Sequence, residues 1–164
     1  MIRYIFIVFL IVLAKFAFST SILDNARVLY MSASESEKDC KKLFDISNNS
    51  DNVILKAYNA ASMMIMAKFI KNPLSKLASF NKGKKKLELC IKYKPRNIEL
   101  LFLRFSIQSE SPSFLGYNSN LNDDKNMIFQ NYTKSNDVTL RYLIKSFMIK
   151  SSNILQSEKL IFYN

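Results

Sequence analysis

The chain has 164 residues, of which 49% are hydrophobic, so it is long enough and apolar enough to fold around a core. It contains only 2 glycines and 3 prolines, although tight hairpins and phosphate-binding loops depend on glycine for backbone conformations with positive φ. This composition disfavours a sandwich, a barrel or a Rossmann fold. It predicts an all-α protein, an irregular helical bundle of about six to seven helices after a signal peptide.

The N-terminal segment has the pattern of a signal peptide. A positively charged start precedes an apolar run over residues 4–14, which is shorter than the roughly 20 residues that span a bilayer. Ala17 and Ser19 stand where a signal peptidase reads small residues. We therefore predict a signal peptide over residues 1–19 and a single all-helical domain over residues 20–164. The alternative is an uncleaved segment that anchors the chain in the inner membrane.

Export determines which partners the chain meets. Cleavage would remove Arg3 and Lys15 and no acidic residue, which lowers the net charge from +11 to +9. A basic exported protein, periplasmic or secreted, is expected to meet membrane surfaces, polysaccharides or acidic proteins, and no nucleic acid. We predict no transmembrane span in the mature chain.

Helical spacing of apolar residues begins directly after this segment. It covers residues 22–33, and a second short helix follows, with Ser34 as its cap and Cys40 on its inner side. Residues 52–71 show the longest clean helical pattern, with a stripe of small residues that lets another helix approach closely. Asp51 is its expected cap.

The next helix carries most of the basic residues. It is expected to start at Pro73, since proline is favoured in the first helical turn, and to end before Pro95. Leu77, Gly83 and Leu87 fall on its apolar side. A solvated helix face is the simpler interpretation of the basic side, because lysine stems cover apolar surface while the ammonium groups stay in water. Contact with an anionic surface is the alternative. This basic patch consists of Lys82, Lys85, Lys86 and Lys92.

A further helix, over residues 97–109, is apolar nearly all round, which is typical of a central helix covered on several sides. Arg104 and Gln108 interrupt it four residues apart, so they share a face. A buried arginine needs a carboxylate, because an unpaired buried charge is very costly. The expected partners on neighbouring helices are Glu88, Asp123 and Asp124.

A small polar binding pocket is the alternative interpretation of the same residues. Glu99 is not the natural ionic partner of Arg104, because five residues place it about 140° around the helix. The pocket would combine Arg104, Gln108, Tyr117 and Glu99.

Two more helices and a short last one follow. Asn118 or Asn120 is expected to cap the first of them. Asn136 and Asp137 begin the second, with Val138 on its inner side, and the short last helix starts near Ser157.

The residue types exclude several catalytic constellations. Without histidine there is no Ser–His or Cys–His nucleophile, and two isolated cysteines predict no metal site. We therefore predict no catalytic residues, no metal and no cofactor. Acid–base chemistry would have to rest on carboxylates, lysine or tyrosine. Cys40 and Cys90 either form a disulfide, which export permits, or are buried thiols.

Two resemblances add to this interpretation. The spacing of Gly83, Leu87, Cys90 and Pro95 resembles the second helix of a tetratricopeptide repeat, over half a repeat. The stretch FNKGKKKLELCIKYKPRNIELLFLRFSIQSESPSFLGY, within a match that runs over roughly residues 56–128, resembles a group of uncharacterised exported helical proteins of Bacteroidota-type bacteria. That resemblance implies a fold and a compartment but no activity.

The sequence therefore predicts an exported, non-enzymatic helical interaction module of the cell envelope. Its partner would be a protein or another envelope component. The alternative is a basic protein that binds the envelope surface or a polyanion through the lysines of the basic patch.

Overall fold

The structure, a computed structural model, describes residues 22–163. The predicted signal peptide and its cleavage site lie outside the described residues. Within residues 22–163 the chain forms eight α-helices, two 3-10 helices and no strand, which confirms the all-α prediction. Eight helices exceed the predicted six to seven, and the shortest of them has only 4 residues.

The helices are numbered in chain order. The α-helices are α1 (residues 22–32), α2 (Glu37–Ser47), α3 (Val53–Met66), α4 (Pro73–Tyr93), α5 (Ile98–Glu110), α6 (Leu121–Tyr132), α7 (Val138–Met148) and α8 (Gln156–Lys159). The 3-10 helices are Ser113–Leu115 and Leu160–Phe162.

Side-chain caps define where several helices start, because they satisfy backbone N–H groups that have no partner inside the helix. Ser36 caps α2, and the predicted Ser34 lies instead in the turn of residues 33–35. Asn52 caps α3, one residue after the predicted Asp51, with its side-chain oxygen accepting from the backbone of Ile54 at 2.8 Å. Cap positions are therefore predictable to within two residues here.

The α3–α4 pair is an antiparallel hairpin. Ser79 donates to the carbonyl of Met63, whereas Lys86, further along α4, donates to the side chain of Asn59, which is earlier on α3. Gly83 lies at the closest approach, since a Cβ there would stand 2.5 Å from the carbonyl oxygen of Ala60. The small residues of α3 and Gly83 thus allow the two backbones to pack tightly.

Helix α5 is the centre of the fold. Every residue from Glu99 to Gln108 is buried, which confirms the prediction of a helix covered on several sides. Phe102 and Phe105 pack edge-on against Phe147 of α7, with ring centroids 5.7 and 6.2 Å apart. The buried apolar side chains form one continuous core between residues 26 and 162. A chain that begins at residue 20 therefore contains the entire described core.

Two residues predicted to face inward are exposed. Leu77 is 45% exposed, because residues 71–78 at the start of α4 are all exposed and extend past the neighbouring helices. Val138 is 78% exposed at the first position of α7. Among the described helices, none combines the length and the apolar character needed to cross a bilayer.

Candidate functional site

Arg104 on α5 is held by carboxylates from two other helices. Its Nε and Nη2 donate to the two carboxylate oxygens of Asp124 on α6, each at 2.7 Å, and its Nη1 donates to Glu88 on α4 at 2.9 Å. The Arg104 residue is only 8% exposed. The predicted pairing of Arg104 with a carboxylate from a neighbouring helix is confirmed, and both partners are among the three expected.

Tyr117 completes this group from the loop between α5 and α6. Its hydroxyl donates to the second oxygen of Glu88, its ring packs edge-on against Phe80, and the ammonium of Lys84 lies 4.7 Å from the ring centroid. Burial raises the pKa of Tyr117 well above its usual range, and the neighbouring Glu88 carboxylate raises it further. The hydroxyl therefore remains a neutral hydrogen-bond donor.

Asp124 is the most deeply buried acid of this group. Burial raises the pKa of Asp124, and the hydrogen bonds from Arg104 oppose that shift. A bidentate arginine–carboxylate pair of this geometry is strong and directional. We call Arg104, Asp124, Glu88 and Tyr117 the Arg104 cluster.

Glu99 belongs to a different group, which we call the Arg27 cluster (Arg27, Glu99, Tyr58 and Asp137). Arg27 on α1 donates through Nε and Nη2 to the two oxygens of Glu99, each at 2.8 Å. The hydroxyl of Tyr58 on α3 also donates to Glu99, at 2.8 Å. Arg27 reaches Asp137, the N-cap of α7, through two further hydrogen bonds of 3.1 and 2.8 Å. One arginine thus connects α1, α5 and the start of α7.

The four residues of the predicted pocket do not gather around one site. Arg104 and Tyr117 meet through Glu88, whereas Glu99 points to Arg27 on another side of α5. Gln108 is buried, and within the described part of the chain neither of its amide atoms has a hydrogen-bond partner. The five-residue separation of Glu99 and Arg104 already predicted that they would point apart.

Sequence reasoning missed Arg27 and Tyr58. Both carry a weak local signal, since each directly follows a buried alanine, Ala26 or Ala57, on the inner side of its helix. A charged or polar group at such a position needs a buried partner. Glu99 lies 72 residues after Arg27, so no local pattern identifies the pair.

The predicted basic patch lies on the solvent side of α4, as the sequence indicated. Lys86 donates to the side chain of Asn59 at 3.3 Å. None of the four lysines forms an ion pair with a carboxylate of residues 22–163. Glu88 is the only acid of α4, and it is engaged by Arg104. The exposed residues of the patch are Lys82, Lys85, Lys86 and Lys92.

Two large apolar residues of α4 are exposed as well. Leu74 is 80% exposed and Leu89 is 58% exposed. At 100° per residue, both leucines and three of the lysines fall within about 80° of one another, opposite the buried side of α4. We call these residues the outer face of α4: Leu74, Lys82, Lys85, Leu89 and Lys92.

Both cysteines are buried and free. Cys40 donates from its thiol to the carbonyl of Ser62 at 3.3 Å, and burial raises the pKa of Cys40 to about 11. Burial also raises the pKa of Cys90. The sequence left open a disulfide between the two cysteines or two buried thiols, and the structure has the buried thiols. Over residues 22–163 no group of three or more His, Cys, Asp or Glu side chains is arranged to hold a metal ion.

No protein-family model, curated protein or solved structure matches this chain. Its function therefore has to be inferred from its own charges and surfaces. Arg27 and Arg104 are buried, whereas the outer face of α4 is exposed to solvent.

Proposed function

We propose that this chain is an exported, non-enzymatic helical interaction module of the cell envelope that binds an anionic component through the outer face of α4. The observation that carries the proposal is positive charge without a counterion on one exposed helix. Lys82, Lys85 and Lys92 form no ion pair with a described carboxylate, and the single acid of α4 is turned toward Arg104. A concentrated positive field of this kind attracts anionic partners.

The exposed leucines favour a contact surface over a merely solvated helix face. Single exposed leucines are ordinary on protein surfaces. Here, however, Leu74 and Leu89 share one face with three lysines, and residues 71–78 are exposed throughout. Such a surface offers a partner both charge and apolar area.

The non-enzymatic part of the proposal is supported by the polar interior. In the two clusters, each guanidinium binds two carboxylates of other elements, and each tyrosine hydroxyl donates to one of those carboxylates. These groups are thus engaged with one another. Such pairing is typical of structural ion pairs that hold helices together.

Export is supported by the signal-peptide pattern and by the resemblance to exported helical proteins. The antiparallel α3–α4 hairpin, with Gly83 at its close approach, is the part of the fold that supports a tetratricopeptide-like hairpin. Hairpins of this kind serve in many proteins as interaction surfaces.

The expected contact is weak and reversible. A lysine near an anionic surface contributes about 1 kcal/mol at physiological salt, and a leucine that is partly buried on binding contributes a similar amount. Three lysines and two leucines then give about 5 kcal/mol, which corresponds to dissociation constants somewhat below 1 mM. Charge supplies more than half of this energy, so added salt should weaken binding strongly.

The test is retention of an anionic component from cell-envelope extract on the immobilised chain from residue 20 onward. We expect retention at low salt, release by added salt, and loss in the triple variant Lys82→Gln, Lys85→Gln, Lys92→Gln. The matched control removes the same charge from exposed lysines elsewhere, by Lys38→Gln, Lys42→Gln and Lys134→Gln, and should retain the component. Retention that does not change with salt concentration, or that is equal in both triple variants, would contradict the proposal.

The predicted alternative, a basic protein that binds the envelope surface or a polyanion, uses the lysines of the basic patch, Lys86 included. It differs in needing no apolar contact, so Leu74→Gln and Leu89→Gln should leave its binding unchanged. The two leucines on the outer face favour a partner that also accepts apolar side chains.

A further inference from the structure

The order of residues along the outer face of α4 restricts the chemistry of its partner. Leu74 and Leu89 lie 15 residues apart, which is about 22 Å along the helix axis. Lys82 and Lys85 stand between them on the same face, and Lys92 follows Leu89. Apolar contacts therefore lie near the two ends of the face, with charge in the middle.

An apolar groove of a partner protein does not fit this order. A helix bound in such a groove presents consecutive apolar anchors at intervals of three and four residues. Here the groove would have to enclose the ammonium groups of Lys82 and Lys85, which is costly unless each meets a carboxylate. An acidic polysaccharide would pair with the lysines but would leave Leu74 and Leu89 in water.

The surface of an anionic bilayer satisfies both kinds of side chain. Leucines of a helix that lies in the interface enter the boundary between headgroups and acyl chains. Lysines keep their stems along this boundary while their ammonium groups reach the phosphates. The exposed residues 71–78 allow the start of α4 to lie against such a surface.

We infer that α4 lies along an anionic phospholipid bilayer, with Leu74 and Leu89 at the headgroup–acyl boundary and the lysines of the outer face on the lipid phosphates. This inference rests on the proposed function and names its partner. The binding is peripheral, through one face of a helix that stays packed on α3 through its other face.

A tryptophan reporter tests the placement of the leucines. The chain has no tryptophan, so Leu89→Trp introduces a single reporter on the outer face. We expect its emission to shift to shorter wavelength with vesicles of phosphatidylglycerol and phosphatidylcholine in equal amounts, and not with phosphatidylcholine alone. Leu155→Trp, at a position 66% exposed next to α8, is the matched reporter and should not shift. The chain from residue 20 onward is used, so that the apolar N-terminal run does not insert.

Vesicle sedimentation with matched variants measures the contribution of each residue type. Replacing Lys82, Lys85 and Lys92 by glutamine should lower partitioning about a hundredfold, because each lysine contributes roughly a factor of five. Leu74→Gln with Leu89→Gln should lower it about thirtyfold. Two control variants should change it less than about twofold. The first is the triple variant Lys38→Gln, Lys42→Gln, Lys134→Gln. The second is the double variant Leu155→Gln, Leu160→Gln. Circular dichroism should show every variant folded.

The outcomes separate this inference from the proposed function. Lysine-dependent vesicle binding without any effect of the leucines or shift of the Leu89→Trp emission overturns the interfacial placement. Binding to an acidic polysaccharide or acidic protein, with no binding to the mixed vesicles, overturns the lipid partner and leaves the proposed function standing. Absence of binding to both vesicles and envelope components overturns both.

Discussion

Arg27 and Arg104 are both buried guanidinium groups, but the tyrosine of each cluster donates its hydrogen bond to a different kind of carboxylate. The Glu99 side chain that pairs with Arg27 is 2% exposed and also accepts the hydroxyl of Tyr58. Arg104 divides its hydrogen bonds between Asp124, also 2% exposed, and Glu88, whose side chain is 36% exposed. Arg27 likewise pairs with the partly exposed Asp24 and Asp137, whose side chains are 42% and 43% exposed, so water can solvate part of both clusters. The tyrosine hydroxyl, however, reaches the buried carboxylate in the Arg27 cluster and the partly exposed Glu88 in the Arg104 cluster. We expect the Arg27 cluster to contribute more to stability.

The two clusters also differ in what they connect. Arg27 joins α1 to α5 and to the first residue before α7, over separations of 72 and 110 residues. Arg104 joins α5 to α4 and α6, over 16 and 20 residues. Loss of the Arg27 cluster should thus release both ends of the described fold, whereas loss of the Arg104 cluster should loosen a local group of helices.

Arg27→Ala is expected to have the largest effect, lowering the free energy of unfolding by about 4–5 kcal/mol. The reason is that Glu99 would remain buried with only the hydrogen bond from Tyr58, and that α1 would also lose its ionic links to α5 and to the start of α7. Urea denaturation measures the change. Arg27→Met combined with Glu99→Met removes both charges and should cost less than Arg27→Ala. If the double variant were less stable than Arg27→Ala, the unpaired-charge explanation would be contradicted.

Arg104→Ala should lower the free energy of unfolding by about 3 kcal/mol, because Asp124 is left buried and unpaired while Glu88 becomes hydrated. Thermal and urea denaturation check this. If Arg104 instead lined a ligand pocket, the same change would leave the melting temperature nearly intact and abolish binding. That result would remove the structural role assigned to Arg104.

The two tyrosine hydroxyls allow a second comparison of stability between the clusters. Tyr58→Phe should cost about 2 kcal/mol, since its hydrogen bond goes to a buried carboxylate. Tyr117→Phe should cost about 1 kcal/mol, because water can replace its hydroxyl at the half-exposed Glu88. Both changes keep the ring in place. Equal effects, or the reverse order, would show that the exposure of the carboxylate that accepts the hydroxyl does not determine what the tyrosine contributes.

Lys85→Ala should have the smallest effect, within about 0.5 kcal/mol of the wild-type free energy of unfolding. Lys85 is exposed and forms no ion pair with a described carboxylate, so its removal leaves no buried charge behind. Denaturation in urea again provides the measurement. A loss of more than 1 kcal/mol would mean that the outer face of α4 supports the fold and is not reserved for a partner.

The sequence by itself determined the features that depend on local chemistry. The scarcity of glycine predicted an all-α fold, and Pro73 marked the start of α4 because its ring suits the first helical turn. The continuous apolar character of residues 97–109 predicted a central helix. Arg104 was expected to find a carboxylate because a buried unpaired charge is so unfavourable, and it does.

Only the tertiary structure decided which distant residues meet and which surfaces stay open. Arg27 and Glu99 pair across 72 residues, and Gln108 is buried beside the Arg104 position without joining its cluster. Leu77 follows the apolar periodicity of α4, yet it is exposed because no helix of residues 22–163 covers the start of α4. Periodicity indicates which side of a helix is apolar, but burial depends on how far the neighbouring helices extend. That extent is determined by packing among all the helices, which no single segment encodes.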